Sequence, residues 1–475
     1  MTGKTSTANG RMVSRRVMLG CASALYFGLL SGSAFAETLS DALVQAYVSN
    51  PTLNAQRAAA RATDEGVPQA LSGYRPQVNA SADGGVTGSR SRPVPGSITE
   101  SGTITSSAGI SVSQPLFDSF RTKNGVRAAE SNVLASRETL LNTEQNVLFD
   151  AAEAYMNVLR DFAIFDLRRN NVQLLEEELR ATRERFDVGE VTRTDTALAE
   201  SRQSGARSNL AVAEANLKAS RAIYRQVIGS DPAKLSPGQP LTKLLPPNLN
   251  AALDIGYVEH PASRAALHAV DAAQLNIRII QGELGPTVSL QGNVGYQWDE
   301  TRSDPGGEGA SRGSSASVLG VLRVPIYQGG QEYSRVREAK EVAGQRRLEA
   351  ESVRDQVRAA VVSAWGALEG AKAQIAAAQA QVEASGIALG GVREEQRVGQ
   401  RTTLDVLNFQ QEQLDARVAL ITAQRDRVVA SYALLQAIGR LNVVQLALNV
   451  PAYDSRVHYD QVRDKWFGLR APDGR

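Results

Sequence analysis

The chain repeats itself at one fixed distance. Pro51 is matched by Pro261, Pro76 by Pro286 and Pro115 by Pro325, each pair 210 positions apart (261 − 51, 286 − 76, 325 − 115). Gly189 and Gly399, Asp195 and Asp405, and Gly229 and Gly439 keep that spacing. Whole stretches follow: QPLFDSF at 114–120 stands over VPIYQGG at 324–330, and VIG at 227–229 over AIG at 437–439. No insertion interrupts the offset, and the period is too long for a short-repeat solenoid. The chain is therefore expected to be an internal duplication, two like units in tandem. The boundaries expected are a leader at 1–36, a first unit at 37–229, a linker at 230–248, a second unit at 249–439 and a tail at 440–475.

Each unit has one internal order. Ser40 is placed to cap a helix running to about Ser72. Residues 73–90 then alternate, with Val78, Ala80, Ala82 and Val86 on one face and Gln77, Asn79, Ser81 and Asp83 on the other, the period of a strand. After the loop SRSRPVPGS, a second strand carries Ile104, Ala108, Ile110, Val112 and Leu116. The second unit repeats the pair, first with Val288, Leu290, Val294, Tyr296 and Trp298, then with Val318, Leu322, Val324 and Ile326. The prolines are expected where helix and strand exchange, since a missing N–H is tolerated there.

A long helix should follow, about Thr122 to Arg185. Val133, Leu140, Val147 and Ala154 recur every seven residues, and so do Leu134, Leu141, Leu148, Tyr155 and Phe162. Two adjacent apolar seams call for neighbours on two sides, as in a ring of helices. The second unit is rich in Ala and Gly here (GALEGAKAQIAAAQAQ), which suits close helix approach. The long helix spans roughly 95 Å and the short ones, at about 40–72 and 193–228, roughly 50 Å each, so two short helices match one long helix. The break between long helix and return helix is VGEVTRTD in one unit and VGQRTTLD in the other. Gly189 and Gly399 can stop a helix in the left-handed region. Thr192 with Asp195, and Thr402 with Asp405, carry the Thr-x-x-Asp capping signature. Both breaks read as hairpin turns at one distal end.

Other classes are excluded by composition. Arg11, Arg15 and Arg16, the apolar run 17–30 and Ala34-Phe35-Ala36 form a secretory leader with a cleavage site, so the expected mature chain begins at Glu37 and lacks the single Cys21. No later apolar run is long enough for a helical span, about 18 residues. Lys and Arg number 52 against 50 Asp and Glu, which gives no electrostatic case for nucleic acid. His260, His268 and His458 are the three histidines, none at metal-ligand spacing with a carboxylate. There is no nucleophile elbow and no phosphate loop. Neither enzymatic activity nor a metal or cofactor is expected.

Four strands cannot close a barrel, since bacterial outer-membrane barrels start at eight, and open edges cannot sit in lipid. Three chains would supply twelve strands. A strand of about 14 residues is roughly 46 Å long and, tilted, crosses an apolar band of about 25 Å. At this point PLFDS and PIYQGG at the strand-to-helix joints, RFDVGEVTRTD and RVGQRTTLDVLN at the tips, and LLQAIGRLNVVQLAL at the end of the last helix resemble the TolC family of Gram-negative outer-membrane channels, over nearly all of the mature chain. The resemblance implies a mixed α and β membrane protein: a homotrimer with a twelve-stranded β-barrel in outer-membrane lipid, continuous with a periplasmic α-helical barrel. It implies an exit duct for drug efflux or type I secretion, docked by a periplasmic adaptor and an inner-membrane pump. The alternative, an extended coiled-coil structural or adhesive envelope protein, explains the helices but not the Pro-flanked strands.

The resemblance also implies a gate. It places the polar links and acidic ring of the closed tunnel entrance on Thr194, Asp195, Arg401 and Asp405, with Arg401 paired to a carboxylate, Asp195. Gln396 and Asn408 depart from the family pattern, which has Tyr and a second ring Asp there, so one carboxylate ring is expected instead of two. Asp405 is equally readable as a helix cap. Val188, Gly189, Val398 and Gly399 are implied as adaptor-docking tips, although the glycines are also explained as helix stops.

Overall fold

The structure is a computed structural model that describes residues 36–472 other than 93, and residue 474. The expected leader, Cys21 included, lies outside the described residues apart from Ala36. The first unit runs α1 (Leu39–Ser49), α2 (Pro51–Asp64), α3 (Gly66–Leu71), β1 (Gln77–Ser91), β2 (Thr99–Phe117), α4 (Arg121–Asp187) and α5 (Arg193–Ile228). The second runs α6 (Leu249–Glu259), α7 (Pro261–Gly282), β3 (Thr287–Asp304), β4 (Gly307–Arg323), α8 (Gln331–Arg397) and α9 (Thr403–Ala437), and α10 (Arg456–Val462) lies in the tail. The two long helices, α4 and α8, are 67 residues each, about 100 Å at 1.5 Å per residue.

The N-terminal helix differs from expectation in two ways. Its cap is Thr38, not Ser40: the Asp41 N–H donates to the Thr38 hydroxyl (3.2 Å) and the Thr38 N–H to the Asp41 carboxylate (3.1 Å). It also breaks in mid-course. Pro51 biases the preceding residue away from helix, and Asn50 is extended (φ −61°, ψ 123°) with its side-chain oxygen accepting from the N–H of Thr52 and Leu53. His260 before Pro261 repeats this geometry (φ −62°, ψ 122°), its Nδ1 accepting from the Ala262 N–H at 3.2 Å. Burial lowers the His260 pKa, which favours the neutral acceptor form. Pro51 and Pro261 are thus helix breaks, while Pro76 and Pro286 do sit at the helix-to-strand exchange.

The strands form one antiparallel sheet in chain order, β1-β2-β3-β4, so β1 and β4 are open edges. Register puts the apolar positions in rows on one face: Val78, Val112, Gly292 and Val318, then Ala80, Ile110, Val294 and Ala316. The alternate rows are polar: Asn79, Ser111, Asn293 and Ser317, then Asp83, Ser107, Gln297 and Gly313. Side chains of alternate residues point to opposite faces, so one face suits hydrocarbon and the other water. The strands hold 15 to 19 residues, longer than expected; in the second unit β3 runs to Asp304 and β4 starts at Gly307. The Gly- and Ser-rich stretch TRSDPGGEGASRG, which has the composition of a loop, is therefore mostly a strand pair closed by Pro305 and Gly306.

The largest core lies at mid-height of the helices. Leu43, Leu53, Leu148, Tyr155, Tyr224, Ile228, Leu434, Leu435, Ile438 and Leu441 are fully buried there. The Tyr155 hydroxyl sits between the carbonyls of Ser236 (2.7 Å) and Glu37 (2.8 Å), and the Tyr224 hydroxyl donates to the Glu37 carboxylate (2.6 Å). These bonds fix the linker on the first unit. Of the two seams on α4, Val133, Leu140, Val147 and Ala154 are all buried, whereas Leu134, Leu141 and Phe162 are exposed and only Leu148 and Tyr155 of the second seam are covered. The second seam lacks its neighbour within one chain. Gly366 and Gly370 do not mark close approach within one chain, since a Cβ on either would meet nothing within 4 Å; further along α8, Gly386 faces Gln413 Nε2 at 3.2 Å.

Candidate functional site at the hairpin tips

The two turns have one geometry. In the first, the Gly189 N–H donates to the Phe186 carbonyl (2.9 Å) and the Glu190 N–H to the Arg185 carbonyl (2.8 Å). In the second, Gly399 donates to Gln396 (2.9 Å) and Gln400 to Glu395 (2.9 Å). Gly189 and Gly399 have φ of 83° and 78°, the left-handed stop expected from the sequence. Both stand in open space, since a Cβ on either would meet nothing within 4 Å, and Val188 and Val398 beside them are exposed. Glycine is there for its backbone, while the surface around it stays bare.

Reciprocal capping boxes start both return helices. The Thr192 N–H donates to the Asp195 carboxylate (2.9 Å) and the Asp195 N–H to the Thr192 hydroxyl (3.3 Å). Thr402 and Asp405 do the same at 3.0 and 3.2 Å. Hydrogen bonds from Thr192 hold the Asp195 carboxyl below the usual carboxylate range, and those from Thr402 do so for Asp405. Both carboxylates therefore stay charged at neutral pH while serving as caps.

The remaining site residues fall into two links. Arg401 pairs with Glu395 (Nε to Oε2, 2.7 Å) across its own turn, not with Asp195, which is occupied by Thr192. The Glu395 bond raises the Arg401 pKa. Gln396 donates to the Thr403 hydroxyl at 3.3 Å, closing the same turn. Asn408 accepts from Arg202 at 2.6 Å, which ties α9 to α5 and so one hairpin to the other. Lower down, Arg168 on α4 lies 3.5 Å from Asp415 on α9. Thr194 is exposed on the first turn of α5. Sequence reasoning does not reach Glu395 or Arg202. Glu395 stands where α8 ends, six residues from Arg401, and carries no motif; Arg202 has Glu412 at the equivalent offset, so the duplication gives no signal for it. Among the described residues, no three His, Cys, Asp or Glu are grouped to hold a metal ion.

Residues 42–230 and 257–440 match the family model described as outer membrane efflux protein. The chain belongs to that family. It is an outer-membrane export channel protein, and the family match supersedes the coiled-coil adhesive alternative. It is 44% identical over 453 residues, 94% of this chain and 96% of the relative, to the outer membrane efflux protein BepC of Brucella suis. It is 27% identical to the outer membrane protein TolC of Vibrio cholerae, covering 87% of this chain and 93% of that one. Among solved structures, the CmeC outer membrane channel of Campylobacter jejuni superposes with a TM-score of 0.74 at 16% identity, covering 90% of this chain and 89% of that chain. That likeness carries the fold: a four-stranded sheet joined to long helical hairpins. The family's members are channels rather than enzymes.

Proposed function

We propose that three copies of this chain form one export duct, a twelve-stranded barrel in the outer membrane opening into a periplasmic helical tunnel. The observation that carries this is the sheet: four strands with β1 and β4 unpaired at its edges. An open edge in hydrocarbon leaves backbone groups unsatisfied, and three sheets joined β4 to β1 close at a strand number within the range of such barrels. The exposed Leu134, Leu141 and Phe162 seam on α4 then meets the next copy's helices. Native mass measurement of the detergent-extracted particle should give three chains; a folded monomer or dimer would remove the architecture.

The duct receives small molecules or secreted proteins from an inner-membrane pump through a periplasmic adaptor. The adaptor docks at Val188, Gly189, Val398 and Gly399, two bare valine–glycine steps at the same end. A bulky, charged Val398→Glu, which leaves the glycine and its φ untouched, should abolish adaptor cross-linking and export while the particle assembles normally. Full export by that variant would leave the four residues as turn residues only. The gate is read at the same end, with Arg401, Gln396, Asp405 and Asn408 on one hairpin and Thr194 and Asp195 on the other.

A further inference from the structure

The tail has no counterpart in the first unit, and export gives its far end no task. It leaves the core at mid-height, where the Tyr453 N–H donates to the Tyr47 hydroxyl (2.8 Å). From there it climbs along α2 and α4 toward the sheet. His458 Nδ1 lies 3.0 Å from the buried Asp64 carboxylate. The Arg137 guanidinium stacks 5.0 Å over Tyr459, and Arg463 lies 3.7 Å from Glu130. Arg75 takes the end: its Nη1 donates to the Lys465 carbonyl (2.9 Å), and its guanidinium stacks 4.7 Å over Trp466. Gln77, two residues after Arg75, is the first residue of β1. A segment rooted in the mid-height core thus finishes at the base of the barrel.

There it closes into a small loop. The Lys465 ammonium donates to the Arg470 carbonyl at 2.6 Å, and Gly468 turns the chain at φ 117°. The loop holds its apolar side chains outward: Trp466 is 64% exposed, Phe467 89% and Leu469 fully. Other exposed aromatics mark the same joint, Tyr74, Phe117 and Phe120 at the ends of β1 and β2, and Tyr327 after β4. The first apolar row of the sheet, Val78, Val112, Gly292 and Val318, begins just beyond. Between Lys465 and Arg470 there is no carboxylate. Aromatic and aliphatic side chains beside cations, level with the edge of a membrane-crossing sheet, match the chemistry of the lipid–water interface.

We propose that residues 465–470 are a membrane-interface anchor. Trp466, Phe467 and Leu469 seat among the headgroups and upper acyl chains of the leaflet on the helix side, and Arg470 meets anionic phosphate. The inference rests on the sheet being the membrane-spanning part. In the assembly the three loops form a collar at the base of the barrel, adding to the hold of its apolar band.

The test uses the full-length channel in vesicles of brominated phosphatidylcholine with phosphatidylglycerol. The chain has three tryptophans, so Trp298→Phe with Trp365→Phe leaves Trp466 alone. A second protein, keeping only Trp298 on β3, reports whether the barrel is in lipid. Trp466 should lose most of its emission to shallow bromines and less to deep ones, and Arg470→Gln should weaken the quenching most in phosphatidylglycerol-rich vesicles. Quenching of Trp298 with none of Trp466 overturns the anchor: red-shifted emission then places the loop in water, and blue-shifted emission places it under a neighbouring copy. Quenching of neither in assembled channels removes the spanning sheet, and the anchor with it.

Discussion

Ile110→Lys should abolish the assembled channel, while Ser111→Lys, one residue further along β2, should leave it standing. Ile110 lies near the middle of the strand, in the row with Ala80, Val294 and Ala316; Ser111 lies in the row with Asn79, Asn293 and Ser317. Lysine on the lipid face near the bilayer midplane costs about 2–4 kcal/mol. Each of three chains would bear that cost, against a total stability of only about 5–15 kcal/mol for an ordinary domain. At Ser111 the ammonium meets water in the lumen and costs little. It should instead add positive charge to the pore and shift ion preference toward anions. Heat-modifiable gel migration reads assembly, and reversal potentials in a planar bilayer read selectivity. Assembly of Ile110→Lys together with failure of Ser111→Lys would mean that the faces are assigned the wrong way round.

That prediction rests on a period the sequence shows openly, since strands with one lipid face and one water face alternate residue by residue. The hairpin tips are equally legible. Gly189 and Gly399 are legible as stops because the residues after them, Thr192 to Asp195 and Thr402 to Asp405, already spell a helix start, and both boxes form as written. The N-terminal helix is hard to read because helical composition runs on past Asn50, while one proline and one amide cap suffice to break it. The strand ends around Asp304 mislead for the opposite reason: Gly and Ser look like loop, yet partner strands held in register keep them extended. Pairings across hairpins are out of reach. Arg202 with Asn408 joins residues 206 positions apart on different hairpins, and neither residue carries a motif. The roles of Glu395 and Asp195 follow the same logic. A local cap takes one carboxylate, so the arginine closes on the other, and only the folded turn says which.

Those links set the expected behaviour of the proposed gate. Arg401→Ser removes the bond to Glu395, and Arg202→Ala removes the bond to Asn408 between hairpins. Each should raise single-channel conductance severalfold, and the double variant more than either, because one link closes a hairpin turn and the other binds hairpin to hairpin. Neither residue supplies a helix cap, so the tips should stay folded. Asp405→Asn should leave conductance low and weaken block by divalent cations, as it removes charge at nearly constant shape. The pH dependence follows from the cap. Hydrogen bonds from Thr402 depress the Asp405 pKa in the folded chain. A depressed carboxylate keeps its charge and its capping contribution above its unfolded value, about 3.9, and loses both as pH falls through the lower folded value. Divalent block should therefore persist at about pH 5 and vanish only in stronger acid, near or below the ordinary carboxylate range. Block that instead fades between about pH 7 and 6 would mean that a carboxylate with a depressed pKa does not carry it. Unchanged conductance in Arg401→Ser and Arg202→Ala, with unchanged block in Asp405→Asn, would leave these side chains as turn and cap residues and move the constriction elsewhere along the tunnel.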